Sequence, residues 1–296
     1  MTSPQQVPVT ATGEIAGRKP RNDEIDVYGV THPGKVRQTN NDHFLVGAIQ
    51  QQLEVKLTSL TELERQVLGE DRLAFVAMVA DGVGAGERGQ EASSLALQLV
   101  TDYVASGMRA YYATDARHED FSEALHEAAM ACHAQVLKRA AERPEYRGMA
   151  TTLTLFLGVW PWLYLLQVGD SRYYLFRDGV LTQVSRDQTM AEDLIAQGAF
   201  QRTEAFMAKW SNVLASSIGG QQTAPVVMRL RNAWTNVHLL CSDGLTKHVS
   251  DDRIRERLAT MTSARQVCED LVQDALDGGG SDNVTIVVGR AVRRDT

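Results

Sequence analysis

Four aspartates lie at the ends of apolar segments that have the composition of β-strands: Asp81, Asp170, Asp243 and Asp282. The first three follow their segments, and the fourth precedes the last one. Four carboxylates gathered in space would repel one another unless cations neutralise them. Ligand sets made only of oxygen suit hard divalent ions such as Mg²⁺ and Mn²⁺. The aspartates therefore indicate a metal-dependent enzyme.

Each aspartate taken alone has a simpler interpretation as an ordinary turn residue. Asp243-Gly244 and Gly169-Asp170 are dipeptides that are common in solvated turns. The turn interpretation weakens for the four together, because all of them border apolar strands, where a solvated acid has no need to lie.

A glycine-rich segment, Gly84 to Gly89, lies between a predicted strand and a predicted helix, as a dinucleotide-binding loop does. The rest of that motif is missing, because no parallel strand ending in an acid follows the helix at the expected distance. Asp81 would also repel a pyrophosphate. We interpret the glycines as allowing the backbone to approach a metal ion or a phosphate.

Arg37 lies in a polar segment, residues 34–42, between two predicted strands. An isolated arginine is usually a surface residue. Beside Asn40, Asn41 and Asp42, however, its guanidinium could present two parallel donors to a phosphate group.

Hydrophobic periodicity and turn residues predict an α+β protein. The predicted strands are 26–31, 43–48, 73–80, 151–159, 162–169, 172–177, 226–231, 235–242 and 284–291. The predicted helices are 90–112, 121–143, 189–197, 251–260 and 263–276, with a further short helix in segment 58–70. Tight turns join most consecutive strands, so we expect largely antiparallel sheets with helices covering their faces.

Composition narrows the class of protein. The chain has 296 residues and a net charge of −7, which disfavours sequence-independent binding of nucleic acid. Its three cysteines form no Cys-x-x-Cys pair and are expected to be buried thiols. Segment 150–169 is uncharged, but its threonines and Trp160-Pro161-Trp162 favour a β-hairpin over a membrane span. We expect residues 1–24 to form a flexible tail and residues 25–296 a single domain.

Together these features occur in a recognisable order, and the chain resembles the metal-dependent Ser/Thr protein phosphatases of type 2C (PPM-type), especially the compact bacterial ones. The resemblance runs from about Asp26 to Val292. The blocks that carry it are residues 37–42, 79–84, 89–93, 149–152, 169–172, 242–245 and 281–283.

The resemblance implies a four-layer α-β-β-α sandwich with two largely antiparallel central sheets and a cleft that holds two or three Mg²⁺ or Mn²⁺ ions. It implies that Asp81 bridges two ions beside the carbonyl of Gly82. It also implies that Asp243 and Asp282 complete the first site and that Asp170 serves a third, weaker one. Arg37 then corresponds to the phosphate-binding arginine, and Asp42 to an acid lying behind the metal ligands.

The chain departs from the family pattern near the predicted second metal. Asn41 stands where the family usually has Glu, so one carboxylate is missing and we expect weaker binding of the second ion. Val83 stands where some relatives have a histidine proposed as the general acid, and Gln188 replaces a frequent histidine. Segment 199–216 is expected to form a flap beside the site.

The resemblance implies hydrolysis of phosphoserine or phosphothreonine in proteins by a metal-bridging water, with Arg37 and Asp81 as catalytic residues. We accordingly expect a cytoplasmic monomer that opposes a Ser/Thr kinase and binds neither nucleic acid nor membrane. Two rival hypotheses are a catalytically weak pseudophosphatase that binds phosphoproteins and a metal phosphoesterase that acts on small molecules.

Overall fold

The computed structural model describes residues 17–50, 53–59, 72–84, 86–114, 118–201 and 203–294. Its strands are β1 Ile25–His32, β2 Asp42–Ile49, β3 Leu53–Thr58, β4 Ala74–Val83, β5 Ala150–Thr151, β6 Leu153–Val159, β7 Trp162–Val168, β8 Arg172–Arg177, β9 Val180–Gln183, β10 Val226–Arg231, β11 Val237–Cys241 and β12 Val284–Ala291. Its α-helices are α1 Glu87–Thr114, α2 His118–Glu142, α3 Met190–Ala196, α4 Glu204–Trp210, α5 Asp243–Thr246, α6 Asp251–Ala259 and α7 Ala264–Asp277.

The strands form two sheets. One has five strands in the order β1-β12-β11-β8-β9, and the other has seven, ordered β10-β7-β6-β4-β2-β3 with β5 paired to β4. All of these described pairings are antiparallel, as the short turns between consecutive strands predicted.

Helices cover the outer face of each sheet. Leu97 and Val100 of α1 and Leu125 of α2 belong to one buried cluster with the outward side chains of the seven-stranded sheet. Ile254 of α6 and Leu271 of α7 belong to a second cluster, on the five-stranded sheet. The predicted four-layer α-β-β-α sandwich is therefore confirmed.

A third cluster fills the space between the sheets. Along β4, Ala77 and Val79 point into it, whereas Met78 points to the helices, as the alternation of side chains in a strand requires. Phe44 of β2 and Leu240 of β11 meet these residues from the two sheets. This packing fixes how the two sheets lie against each other, and with it the relative positions of their strand ends.

Most predicted elements are present, with shifted ends. Helices α1 and α2 begin earlier than predicted, and β4 continues to Val83. The sequence analysis did not identify β3, β5 and β9 or the short helices α4 and α5, which are too short to show clear periodicity. The helix predicted in segment 58–70 falls outside the described residues from residue 60 onward, and Thr58 belongs to β3.

The uncharged segment 150–169 contains the β6–β7 hairpin, as predicted. No helix in the described ranges is long and apolar enough to cross a membrane. Cys132, Cys241 and Cys268 are buried free thiols.

Part of the predicted tail contacts the sandwich. The indole nitrogens of Trp160 and Trp234 donate to the carbonyls of Gly17 and Arg18, at 2.9 and 2.8 Å. Arg18 pairs with the buried Glu24 and lowers the pKa of that carboxyl to about 2. The remainder of the predicted tail, residues 1–16, lies outside the described residues.

The packing between the sheets predicts the effect of a cavity there. Leu240 is 1% exposed, so Leu240→Ala should lower the free energy of unfolding by about 2–5 kcal/mol, measured by urea denaturation. Leu137→Ala, at an exposed position on α2, is the matched control and should cost far less. Equal losses for the two variants would contradict the proposed packing.

Candidate metal centre

Two of the acidic residues lie opposite each other on neighbouring strands. Asp42 of β2 pairs in register with Asp81 of β4. Thr152 holds Asp81 in place, because its hydroxyl accepts from the Asp81 amide at 3.0 Å and its own amide donates to the Asp81 carbonyl at 2.9 Å. Thr152 belongs to the block at residues 149–152 that the sequence analysis singled out, and its contacts give that block a structural purpose.

The backbone beside Asp81 is tightly enclosed. A Cβ atom on Gly82 would lie 2.1 Å from the carbonyl oxygen of Gly89 and 2.7 Å from that of Asn41. Only glycine therefore fits where β4 passes the first turn of α1. Gly89, at the end of the glycine-rich segment, is enclosed in the same way, because its Cβ atom would lie 2.6 Å from the carbonyl oxygen of Gly82. The expected approach of this segment to a metal ion or a phosphate stays a prediction.

The next two acids come from the ends of β11 and β12. Asp243 begins α5 directly after β11, and Asp282 precedes β12. The two strands are antiparallel neighbours, so the last residues of β11 and the first residues of β12 lie side by side at one end of the five-stranded sheet. Gly244 is needed there, because a Cβ atom would lie 1.9 Å from the carbonyl oxygen of Asn283.

Asp170 lies in the connection between β7 and β8, so it links the two sheets. Gln188 accepts from the Gly169 amide at 2.8 Å and donates to the Ala224 carbonyl at 3.0 Å. Gln188, which the sequence analysis noted only as a departure from the family, therefore supports the backbone that carries Asp170.

The carboxylates interact strongly. Burial raises the pKa of Asp81 well above its ordinary value, and the negative charges of Asp42, Asp243, Asp170 and Asp282 raise it further. Burial raises the pKa of Asp42 to about 6, even though Ser242 donates to its carboxylate at 2.7 Å. Burial, with Asp243 and Asp187 nearby, raises the pKa of Asp170 to about 8. The tertiary structure thus brings the predicted acids together.

Two basic side chains neutralise part of the negative charge of these carboxylates. Arg37 holds Asp282 with two donors, at 2.8 and 3.1 Å, and Lys247 lies 2.6 Å from Asp243 and 2.8 Å from Asp282. Partial burial acts to raise the pKa of Asp282, but the hydrogen bonds from Lys247 and Arg37 lower it below the ordinary value. The pKa of Asp243 stays raised by burial despite Lys247.

The donor set fits hard divalent ions, although it is not yet arranged around one point. In the described part of the chain, no three His, Cys, Asp or Glu side chains are already grouped as ligands. Of the five side-chain oxygens that are buried without a hydrogen-bond partner in the described residues, two belong to residues of the site, Oδ1 of Asp243 and Oδ1 of Asn41. A buried oxygen left unpaired is costly, and a cation would satisfy it.

Two further residues shape the site: Asn283, which the sequence analysis named only within the block 281–283, and Lys247, which it missed. Asn283 accepts from the Asn41 amide at 2.9 Å and donates to the carbonyls of Pro33 and Thr39, so it anchors the loop that carries Arg37. Lys247 reaches the acids from the end of α5. Its spacing of four residues from Asp243 in a helical turn is the signal that could have revealed it.

Known proteins are similar to this chain in sequence. Residues 65–278 match the family description "Protein phosphatase 2C". The chain is 33% identical over 222 residues to the serine/threonine protein phosphatase PstP of Mycobacterium tuberculosis, a match that covers 75% of this chain and 41% of that protein. The chain therefore spans about two fifths of the length of this relative.

Solved structures are similar as well. The crystal structure of the M. tuberculosis phosphatase PstP/Ppp superposes with a TM-score of 0.71 at 28% identity, covering 91% of this chain and 99% of that one. The PstP catalytic domain in complex with two manganese ions gives a TM-score of 0.65 at 28% identity, with the same coverage.

The enclosure of Gly82 yields a first prediction for the site. Gly82→Ala should separate β4 from α1, which we expect to weaken Mn²⁺ binding and to lower the free energy of unfolding by about 1–3 kcal/mol. Gly107→Ala, with no heavy atom within 4 Å of its new Cβ, should be neutral or gain up to about 1 kcal/mol. Calorimetric titration and chemical denaturation measure the two effects, and a harmless Gly82→Ala would contradict the contacts described.

The raised pKa values predict how stability depends on pH in EDTA. The pKa values of Asp42 and Asp170 are about 6 and about 8 in the folded protein, above the unfolded value of about 3.9. Their protonation therefore stabilises the fold below the unfolded value, and this contribution is lost as the pH rises through the folded values.

We expect the melting temperature in EDTA to fall between about pH 5 and pH 9, and Mn²⁺ to remove most of that fall. Asp170→Asn should flatten the upper part of the profile. If the melting temperature of the wild-type protein in EDTA rises over this pH range, the carboxylates do not repel one another as described.

Proposed function

The chain belongs to the protein phosphatase 2C family, and from this premise we propose that it is a metal-dependent phosphatase of phosphoserine and phosphothreonine in proteins. The observation that carries the proposal is the cluster of five mutually interacting aspartates with Arg37 beside it. Such a cluster needs divalent cations, and the arginine adds a group that recognises phosphate.

We assign the oxygen ligands to residues that the structure brings together. Asp81, the Gly82 carbonyl, Asp243, Asp282 and Asp170 would hold two or three Mg²⁺ or Mn²⁺ ions. The relative solved in complex with two manganese ions supports divalent ions as a class. When bound, such ions activate a water as nucleophile at neutral pH and offset charge on the phosphoryl oxygens.

Asn41 and Asp42 act behind these ligands in the proposal. The carboxylate of Asp42 accepts a hydrogen bond from the Ser242 hydroxyl, so it positions the end of β11 that leads into Asp243. Oδ1 of Asn41 is buried without a hydrogen-bond partner, while the side-chain Nδ2 donates to the Gly84 carbonyl at 3.1 Å. A neutral amide oxygen in place of a carboxylate would hold the second ion more weakly.

Arg37 would orient the substrate. Its side chain is 57% exposed, so the guanidinium can leave Asp282 once a metal ion takes that carboxylate. It would then present two donors to the phosphoryl group and stabilise the charge that develops there during in-line attack. Val83 is exposed next to Gly82 and has no ionisable proton to donate, so we propose that water protonates the departing serine or threonine oxygen.

The segment predicted as a flap, residues 199–216, contains α4, and Phe200 stacks on Phe206 with ring centroids 4.8 Å apart. We propose that it contributes to the choice of phosphoprotein. A Ser/Thr kinase as the opposing enzyme, a cytoplasmic location and a monomeric state stay predictions from the sequence.

The proposed activity can be tested by hydrolysis of a phosphothreonine peptide and of p-nitrophenyl phosphate. We expect turnover with Mn²⁺, none with EDTA, and a loss of about a hundredfold or more in Asp243→Asn and Arg37→Ala. Asp243 would hold a metal ion, and Arg37 would stabilise the charge that develops on the phosphoryl oxygens. Arg265→Ala, an exposed arginine paired with Glu269 on α7, is the matched control and should keep full activity.

If the turnover of the wild-type protein does not exceed that of the Asp243→Asn variant, the proposed enzymatic activity is refuted and a phosphoprotein-binding role is left. If the protein hydrolyses p-nitrophenyl phosphate but does not hydrolyse the phosphopeptide, its substrates are small molecules.

A further inference from the structure

Lys247 lies inside the candidate metal centre. Its Nζ is 2.6 Å from Oδ2 of Asp243 and 2.8 Å from Oδ2 of Asp282, and its side chain is 28% exposed. The ammonium group therefore bridges two carboxylates that the proposed function assigns to the first metal ion.

The position of Lys247 follows from the local fold. The short helix α5 begins at Asp243, and the amide of Lys247 donates to the Asp243 carbonyl at 2.8 Å, which closes one helical turn. Residues four apart lie on the same side of a helix, so the lysine must return toward Asp243. Asp282 is adjacent because β11 and β12 are neighbours.

The contact differs from an ordinary surface ion pair. The side chains of Asp243 and Asp282 are only about one fifth exposed. Their Oδ1 atoms, which Lys247 does not contact, differ in their hydrogen bonding. Oδ1 of Asp282 is held by Arg37, whereas Oδ1 of Asp243 is buried without a partner. The ammonium thus satisfies one oxygen of each acid and leaves one ligand atom unsatisfied.

We propose that Lys247 is a tethered counter-cation that competes with the first metal ion for Asp243 and Asp282. The inference rests on the proposed metal-dependent function. A lysine has three donors but a single charge, so it neutralises the pair only in part. A divalent ion can take the same oxygens only after the ammonium has moved away, because two cations cannot share them without strong repulsion.

The competition has two opposite consequences. Without metal, Lys247 reduces repulsion among the aspartates and stabilises the fold. With metal, its displacement weakens the observed affinity. Asn41 acts in the same direction, because it also leaves the site less negative than a carboxylate would. The chain would therefore need a higher concentration of Mn²⁺ or Mg²⁺ to become active than its number of aspartates suggests.

The test is calorimetric titration of Mn²⁺ into the EDTA-stripped, dialysed full chain, with thermal unfolding in EDTA alongside. Lys247→Met keeps the length of the stem and removes the charge. It should bind the first Mn²⁺ about tenfold more tightly, equivalent to about 1.4 kcal/mol, and melt at a lower temperature without metal. A merely structural lysine would not tighten metal binding when removed.

Two controls isolate the charge. Lys247→Arg retains a cation and should bind Mn²⁺ within about twofold of wild type, since only loss of the charge removes the competitor. Lys138→Met removes an exposed lysine paired with Glu142 at four-residue spacing on α2, and should change neither affinity nor melting temperature. If metal-free Lys247→Met does not stay folded, Lys247→Gln is titrated in its place.

Unchanged or weaker Mn²⁺ binding in the neutral variant would overturn the inference. Failure of the inference is distinguishable from failure of the proposed function. Wild-type phosphatase turnover with equal Mn²⁺ affinities refutes only the role of Lys247. A gain in affinity without turnover in any variant supports the counter-cation and refutes the enzyme.

Discussion

Repulsion among buried carboxylates is the constraint on which this structure depends. Asp42, Asp81, Asp170, Asp243 and Asp282 raise one another's pKa values or those of their neighbours, and burial denies most of them the screening of bulk water. A protein can keep such a cluster only if the surrounding packing exceeds the electrostatic cost. Here three hydrophobic layers, one between the sheets and one under each pair of helices, supply that packing.

The scaffold also restrains the backbone close to the acids. Gly82 and Gly244 lie where a Cβ atom would overlap a carbonyl oxygen, so strand and helix come closer than other residues allow. Asn283 and Thr152 add side-chain hydrogen bonds to the same segments. The acids cannot relieve their repulsion by moving apart, and this rigidity makes cation binding favourable.

The family determines the fold of the chain, whereas the charges around the candidate metal centre depend on individual side chains. The sandwich is shared with phosphatases of the 2C family, including a relative solved with two manganese ions. Asn41 and Lys247 adjust the charge that a metal ion meets in this chain. A shared fold therefore leaves metal affinity to be determined by a few side chains around the ligands.

The sequence alone determined the order of the main elements and the antiparallel layered fold, because these follow from residue types and local periodicity. It also predicted acidic metal ligands from residue types, and that assignment stays a prediction. Arg37 was also identified beside the acids, but its bidentate contact with Asp282, 245 residues away, was not. The bond from Ser242 to Asp42 joins residues 200 positions apart. Such contacts, and the bridge from Lys247 to Asp282, come only with the tertiary structure, because they depend on which strands pair within a sheet and on how the two sheets pack against each other. Periodicity reports which face of an element is buried, and it carries no information about which distant charge lies opposite.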